Sequence, residues 1–191
     1  MKENKKYQLL EDDTIVREGR TLYRIEALRH VCYGVEAGTK GGYVESEANL
    51  SHKGTCWLYD DACAYEESRV EGDAYLYGHA TLRGKAKLIE DASLWGKAIL
   101  QGEAKVGGNV SLQNDAVVGG QAILKGWMIL YDAVQVGGNA YLEGTHPDRN
   151  LVLDGTTIID GDTIMKGYGR FPEKEAILTT GSFRLEGNEH E

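Results

Sequence analysis

"GDAYLYGHATLRGKAKL", residues 72–88, carries glycine at 72, 78 and 84, alanine at 74, 80 and 86, and leucine at 76, 82 and 88. A period of six fits neither the helical repeat nor the bare alternation of a strand. Alanine and leucine two positions apart face the same way on an extended chain. Each hexad therefore reads as a very short strand with two inward residues, closed by a corner at glycine. Three equal sides, one hexad each, make a triangular coil of about 18 residues, and successive coils stack as parallel strands about 4.8 Å apart.

The pattern extends well beyond these residues. The small position begins at Cys56 and Ala62, passes through Ser68, and recurs at every sixth position as far as Ala140. Its larger apolar partner runs in step from Leu58 to Leu142, so fifteen hexads follow without an insertion. Such a repeat decides the architecture before any other feature does. Alanine suits the narrow interior near a corner, and leucine fills the middle of each side. Where the corner is not glycine, Asp60, Asn114 and Asp132 tolerate a left-handed backbone. Glu66 and Glu90 stand at the same position, and nothing in the sequence explains them.

These hexads resemble the left-handed parallel β-helix of hexapeptide-repeat proteins. One residue intervenes between the large aliphatic and the glycine, as in "LYGHA", "LRGKA" and "LWGKA", whereas in the acyltransferases glycine follows directly. Together with "RTLYRIEAL" and "GGYVESEANLS" ahead of the coils, the chain resembles the YdcK-like family of bacterial and phage β-helix proteins over roughly residues 7–144. The resemblance implies an all-β, left-handed parallel β-helix and says little about activity.

The ends need covering, because a terminal coil leaves unpaired edges and an open core. Residues 1–50 read as a cap and lead-in, with "YQLL", "TIVREG" and "TLYRIEALR" as a small antiparallel unit over the first coil. Residues 51–169 read as the helix, interrupted by an extruded loop at "THPDRN", 145–150. Less regular hexads at Leu151/Leu153, Thr157/Ile159 and Thr163/Met165 supply one more coil. Residues 170–191 read as an extension in which "EAILTT" and "SFRLE" cap the end, with a frayed tail.

Composition narrows the function classes. A net charge of −9 disfavours duplex nucleic acid, and it is spread along the chain with no basic arm. Three cysteines, Cys32, Cys56 and Cys63, are too few and too irregular for a disulfide framework or a zinc site. The opening "MKENKKYQLLEDD" lacks the apolar stretch of a signal peptide, so a cytoplasmic location, in the host if the gene is phage-borne, and no membrane partner are expected.

Folding the sequence at one coil per turn, three hexads, shows which outward side chains stack. One side carries Tyr59, Tyr77, Trp95, Gln113 and Tyr131 in one column and Trp57, Tyr75, Ser93, Ser111 and Ile129 in the next. This aromatic stripe reads as a contact surface, with a ladder of mutually supporting rungs as the plain alternative. A second side stacks Arg69, Lys87 and Lys105, read as cations neutralised by Glu67 and Glu103, with an anion site as the functional alternative. A third side sets Ile99 and Val117 among Thr81 and Gln135, a modest apolar pair suited to oligomer packing.

No catalytic motif, cofactor or metal site is read here. His79 falls at a corner and His146 in the loop, and a lone surface histidine is ordinarily not a general base. The glycines are corners, and no phosphate-binding loop is present. The expectation is therefore a non-enzymatic, rigid binding protein. It is a dimeric or trimeric homo-oligomer holding a protein or nucleotide-like partner on Trp57, Tyr59, Tyr75, Tyr77, Trp95 and Tyr131, with Arg69, Lys87 and Lys105 as a second surface. The resemblance adds an anti-defence or sequestering role in a phage. The alternatives are a hexapeptide-class acyltransferase using His79 or His146, and a polymer-forming scaffold.

Overall fold

The computed structural model describes residues 5–171 and 176–186. It is all-β, a parallel β-solenoid of about eight turns. Both inward positions of every hexad are buried, from Cys56 and Leu58 through Ala98 and Leu100 to Ala140 and Leu142. The irregular hexads behave the same way, with Leu151, Leu153, Thr157, Ile159, Thr163 and Met165 all buried. Thr157 and Thr163, polar at an inward position, donate their hydroxyls to the carbonyls of Asp154 and Asp160 at 2.8 Å. Each buried leucine stabilises the fold by roughly 1.5–3 kcal/mol.

Through the regular stretch each strand pairs in parallel with the strand three hexads on. On the first face the outward residues pair as Trp57, Tyr75, Ser93, Ser111 and Ile129. The second face pairs Cys63, Thr81, Ile99, Val117 and Gln135. The third pairs Arg69, Lys87, Lys105, Ile123 and Tyr141. After the loop at 145–150 the partners are Ile129 with Val152 and Tyr141 with Ile164, a wider offset that the loop absorbs.

Glu66 and Glu90 do adopt the left-handed backbone, with φ of 61° at each. Their carboxylates hold the next coil. Glu66 Oε2 accepts from the Gly84 backbone N–H at 2.6 Å, and Glu90 Oε2 accepts from Gly108 N–H. Asp60 Oδ2 does the same for Gly78 at 3.3 Å. A long acidic side chain at a corner thus reaches one full coil ahead, to a donor that the corner geometry presents to solvent.

The amino-terminal unit does more than cover an end. Strand β1, Tyr7–Arg17, and strand β2, Arg20–Ala27, form an antiparallel hairpin about the Glu18-Gly19 turn, both residues at positive φ. Strand β3, Lys40–Val44, is antiparallel to β2 and parallel to Cys63–Ala64, so it converts one mode of pairing into the other. Coil-type pairing consequently begins at Tyr43 and Val44, and Leu50 bridges to Val70, ahead of the first regular hexad. Tyr7, Ile25 and Ala27 close the mouth of the solenoid core. Leu22 packs instead on the outward Cys63 and Tyr65, with Tyr43, as a second small core on the flank.

At the other end "ILTT" and "SFRL" lie on one strand, Ile177–Leu185, parallel to Ile158–Gly167. Rungs therefore continue past residue 170. The expected frayed tail, with His190, falls outside the described residues.

Candidate functional site

The aromatic side is partly what the folded sequence leads one to expect. Four rings interlock over three coils. Tyr77 and Trp95 lie 5.0 Å apart between centroids with a tilt of 34°, and Tyr59 and Tyr77 lie 5.6 Å apart at 40°. Tyr75 stands edge-on to Trp95 at 5.4 Å and to Tyr59 at 6.4 Å. The pairs along the column are tilted and those across it edge-on, both favourable arrangements for neighbouring rings. Tyr77 is the most open of the four, 41% exposed. Tyr59 is half-buried, its hydroxyl 3.3 Å from Cys32 Sγ.

Two residues of the expected stripe are placed otherwise. Trp57 occupies its outward register position beside Tyr75 and is nonetheless fully buried. Tyr7 from β1 meets it edge-on at 6.3 Å, and β3 passes so close that a Cβ on Gly41 would lie 2.8 Å from Trp57 Cζ2. Trp57 is thus part of the capped core and cannot meet a partner. Tyr131 is separated from the four rings by a polar relay. Trp95 Nε1 donates to Ser93 Oγ at 3.1 Å, Ser93 Oγ donates to Ser111 Oγ at 3.2 Å, and Gln113 Nε2 donates to Ser111 Oγ at 3.0 Å. Beyond it the Tyr131 hydroxyl donates to Asp154 Oδ2 at 2.9 Å, and that acceptor raises the Tyr131 pKa. Arg170 lies over the Tyr131 ring at 5.6 Å and bonds both groups.

On the basic side, Glu67 and Glu103 do not neutralise the column. Glu103 pairs with Lys85 at 3.5 Å, and Arg69 pairs with Glu71 at 3.8 Å. Lys87 and Lys105 are exposed on adjacent rungs and have no ion-pair partner among the described residues. Further along, Lys125 and Lys166 both reach Glu143 at 3.1 Å and both approach the Tyr141 ring, at 5.3 and 5.2 Å. Lys166 first, then Lys125, holds the Glu143 carboxyl below its usual range. A cavity of about 560 Å³ opens beside this cluster, lined by Glu143, Lys166, Tyr168, Phe183 and Arg184. Folding the sequence at three hexads per coil misses it, because the loop delays Lys166 beyond the position that would stack on Glu143.

His79 Nδ1 is 3.9 Å from Asp61 Oδ2, beyond hydrogen-bond reach. His146 Nδ1 accepts the Asp148 N–H at 3.2 Å, and the ring packs 5.4 Å from Tyr168. Among the described residues no group of three or more metal-ligating side chains converges, and no helix is long and apolar enough to cross a membrane.

The class that the fold defines is the parallel β-solenoid. No family model matches the chain, and a search of curated proteins finds no relative.

Proposed function

We propose that this protein is a rigid, non-enzymatic binding protein that works as a homo-oligomer, with the Tyr59, Tyr75, Tyr77 and Trp95 cluster as its contact surface. The observation that carries this reading is the partly exposed Tyr77 within four interlocked rings, standing on a backbone whose every rung is fixed by the coil on either side. Side chains already held in place lose little freedom on association, which favours binding. Aromatic residues in that setting are the usual energetic centre of an interface. The hexad spacing and the αL corners support the finer assignment to left-handed hexapeptide-repeat helices. The YdcK-like resemblance supports a phage setting, in which such a surface sequesters a component of a host defence.

The test is sedimentation of the Tyr77→Ser, Trp95→Ser double variant against the parent chain, with circular dichroism to establish that the fold persists. The proposal expects a discrete oligomer for the parent and a monomer of unchanged fold for the variant. An oligomer of the same size in both shows that the rings serve only as rungs.

A further inference from the structure

The mouth of the solenoid holds a lysine and a cysteine that no part of the aromatic surface uses. Lys6 is wholly buried, although its neighbour Lys5 is exposed and paired with Glu47. Its amine reaches the first hexad, where Nζ lies 2.7 Å from the Cys56 carbonyl and 3.1 Å from Cys56 Sγ. The chain aims it there through β1. Tyr7, the next residue, stacks on His52 at 4.4 Å and donates its hydroxyl to Leu50 O at 2.8 Å, while Lys6 N–H donates to His52 Nδ1 at 3.2 Å. Cys56 is equally fixed, being the first small inward residue of the repeat.

We propose that Lys6 and Cys56 form a covalent cross-link when the protein meets a peroxide. The sulfur attacks one peroxide oxygen; an S–O bond forms, the O–O bond breaks, and hydroxide leaves as water with the thiol proton. The neutral Lys6 amine then attacks the sulfur. The S–N bond forms, the S–O bond breaks, and the second hydroxide leaves as water with one amine proton. One thiol, one amine and one peroxide thus give one sulfenamide and two waters. With a second peroxide the O–O and S–N bonds break, S–O and O–N bonds form to the one oxygen that is kept, and the other oxygen leaves as hydroxide that takes the kept oxygen's proton, giving an S–O–N bridge and one more water.

An amine 3.1 Å from the sulfur favours linkage over further oxidation of the sulfenic acid. Burial holds the Lys6 pKa below its usual value, towards the neutral amine that the second step needs, and it holds the Cys56 pKa above its usual value, a rise that Lys6 beside it offsets in part towards the thiolate that the first step needs. The exposed segment Lys53–Thr55 lies beside the sulfur, with Lys53 O 3.7 Å from Sγ, and it is the side from which a small oxidant would have to reach the thiol. The link would tie the chain just ahead of β1 to the first coil, across fifty residues of sequence.

The test treats the full chain with hydrogen peroxide and reads peptide fragments by tandem mass spectrometry, alongside thermal unfolding. The proposal expects the peptide of Lys6 joined to that of Cys56, about 2 Da lighter than the sum for S–N or about 14 Da heavier for S–O–N. The unfolding midpoint should rise by about 5 °C and return after treatment with a thiol reductant. In Lys6→Met, Cys56 should oxidise to unlinked acids. Cys56→Ala, which places at this position the residue that most hexads use, should fold and show no rise. Oxidation of Cys56 in the parent without a linked peptide, or a midpoint rise that persists in Lys6→Met, overturns the proposal.

Discussion

Replacing Glu66 separates two forces that the corner combines. Its φ of 61° costs an ordinary L residue about 1 kcal/mol, whereas glycine adopts it freely. Against that cost stands the 2.6 Å bond from Gly84 N–H to Oε2. A hydrogen bond to a charged group contributes about 1.5–3 kcal/mol, and a side chain that is 32% exposed retains about half of it, on the order of 1 kcal/mol. Glu66→Ala loses the bond, together with a weak exposed pair to Arg20 at 3.6 Å, and keeps the strained backbone, so it should destabilise by about 1 kcal/mol. Glu66→Gly loses both bond and strain and should fall within about 0.5 kcal/mol of the parent. Urea unfolding measures the difference as a shift in midpoint, provided that the slope is the same for all three proteins. If alanine is as stable as glutamate, the carboxylate contributes nothing. If alanine and glycine are equally destabilised, the corner carries no strain, and the reasoning fails on that side.

Leu100→Ala should cost about 2–4 kcal/mol by opening a cavity between two occupied coils, and thermal unfolding would show whether it does. Gly41→Ala should cost at least as much, because its Cβ would sit 2.6 Å from Leu58 O and 2.7 Å from the Ile25 side chain; a soluble, equally stable variant refutes the close approach of β3. The Glu47, Asp73 and Glu143 carboxyls are held below their usual range, by Lys5 with His52, by the Thr55 hydroxyl and N–H, and by Lys166 with Lys125. Groups depressed in the folded state bind fewer protons there than in the unfolded chain, so their stabilisation is present above the usual carboxylate range and lost as pH falls below it. Unfolding midpoints should be level near neutrality and drop below about pH 4, and a profile flat down to about pH 3 contradicts the assignment.

The repeat made the scaffold readable because it acts locally and then adds up. Alternation places alanine and leucine on one side, and glycine at every sixth position turns the corner. Stacking of each hexad on the third one after it follows from three equal sides. The same arithmetic put Tyr59, Tyr75, Tyr77 and Trp95 together, as the structure has them. It failed at Trp57, because β1 and β3 fold over a position that the register alone leaves outward. It failed again at Lys166, which joins Lys125 and Glu143 only because the loop widens the offset between paired residues after Gly144.

The sequence by itself therefore determined the solenoid, its inward residues and its outward columns, since these depend only on periodicity and corner chemistry. Tertiary structure alone decided which outward residues meet solvent and that Lys6 sits against Cys56. The physical reason is that these contacts join segments of different local structure that lie far apart along the chain. A hairpin laid over a solenoid leaves no periodic trace in the order of the residues.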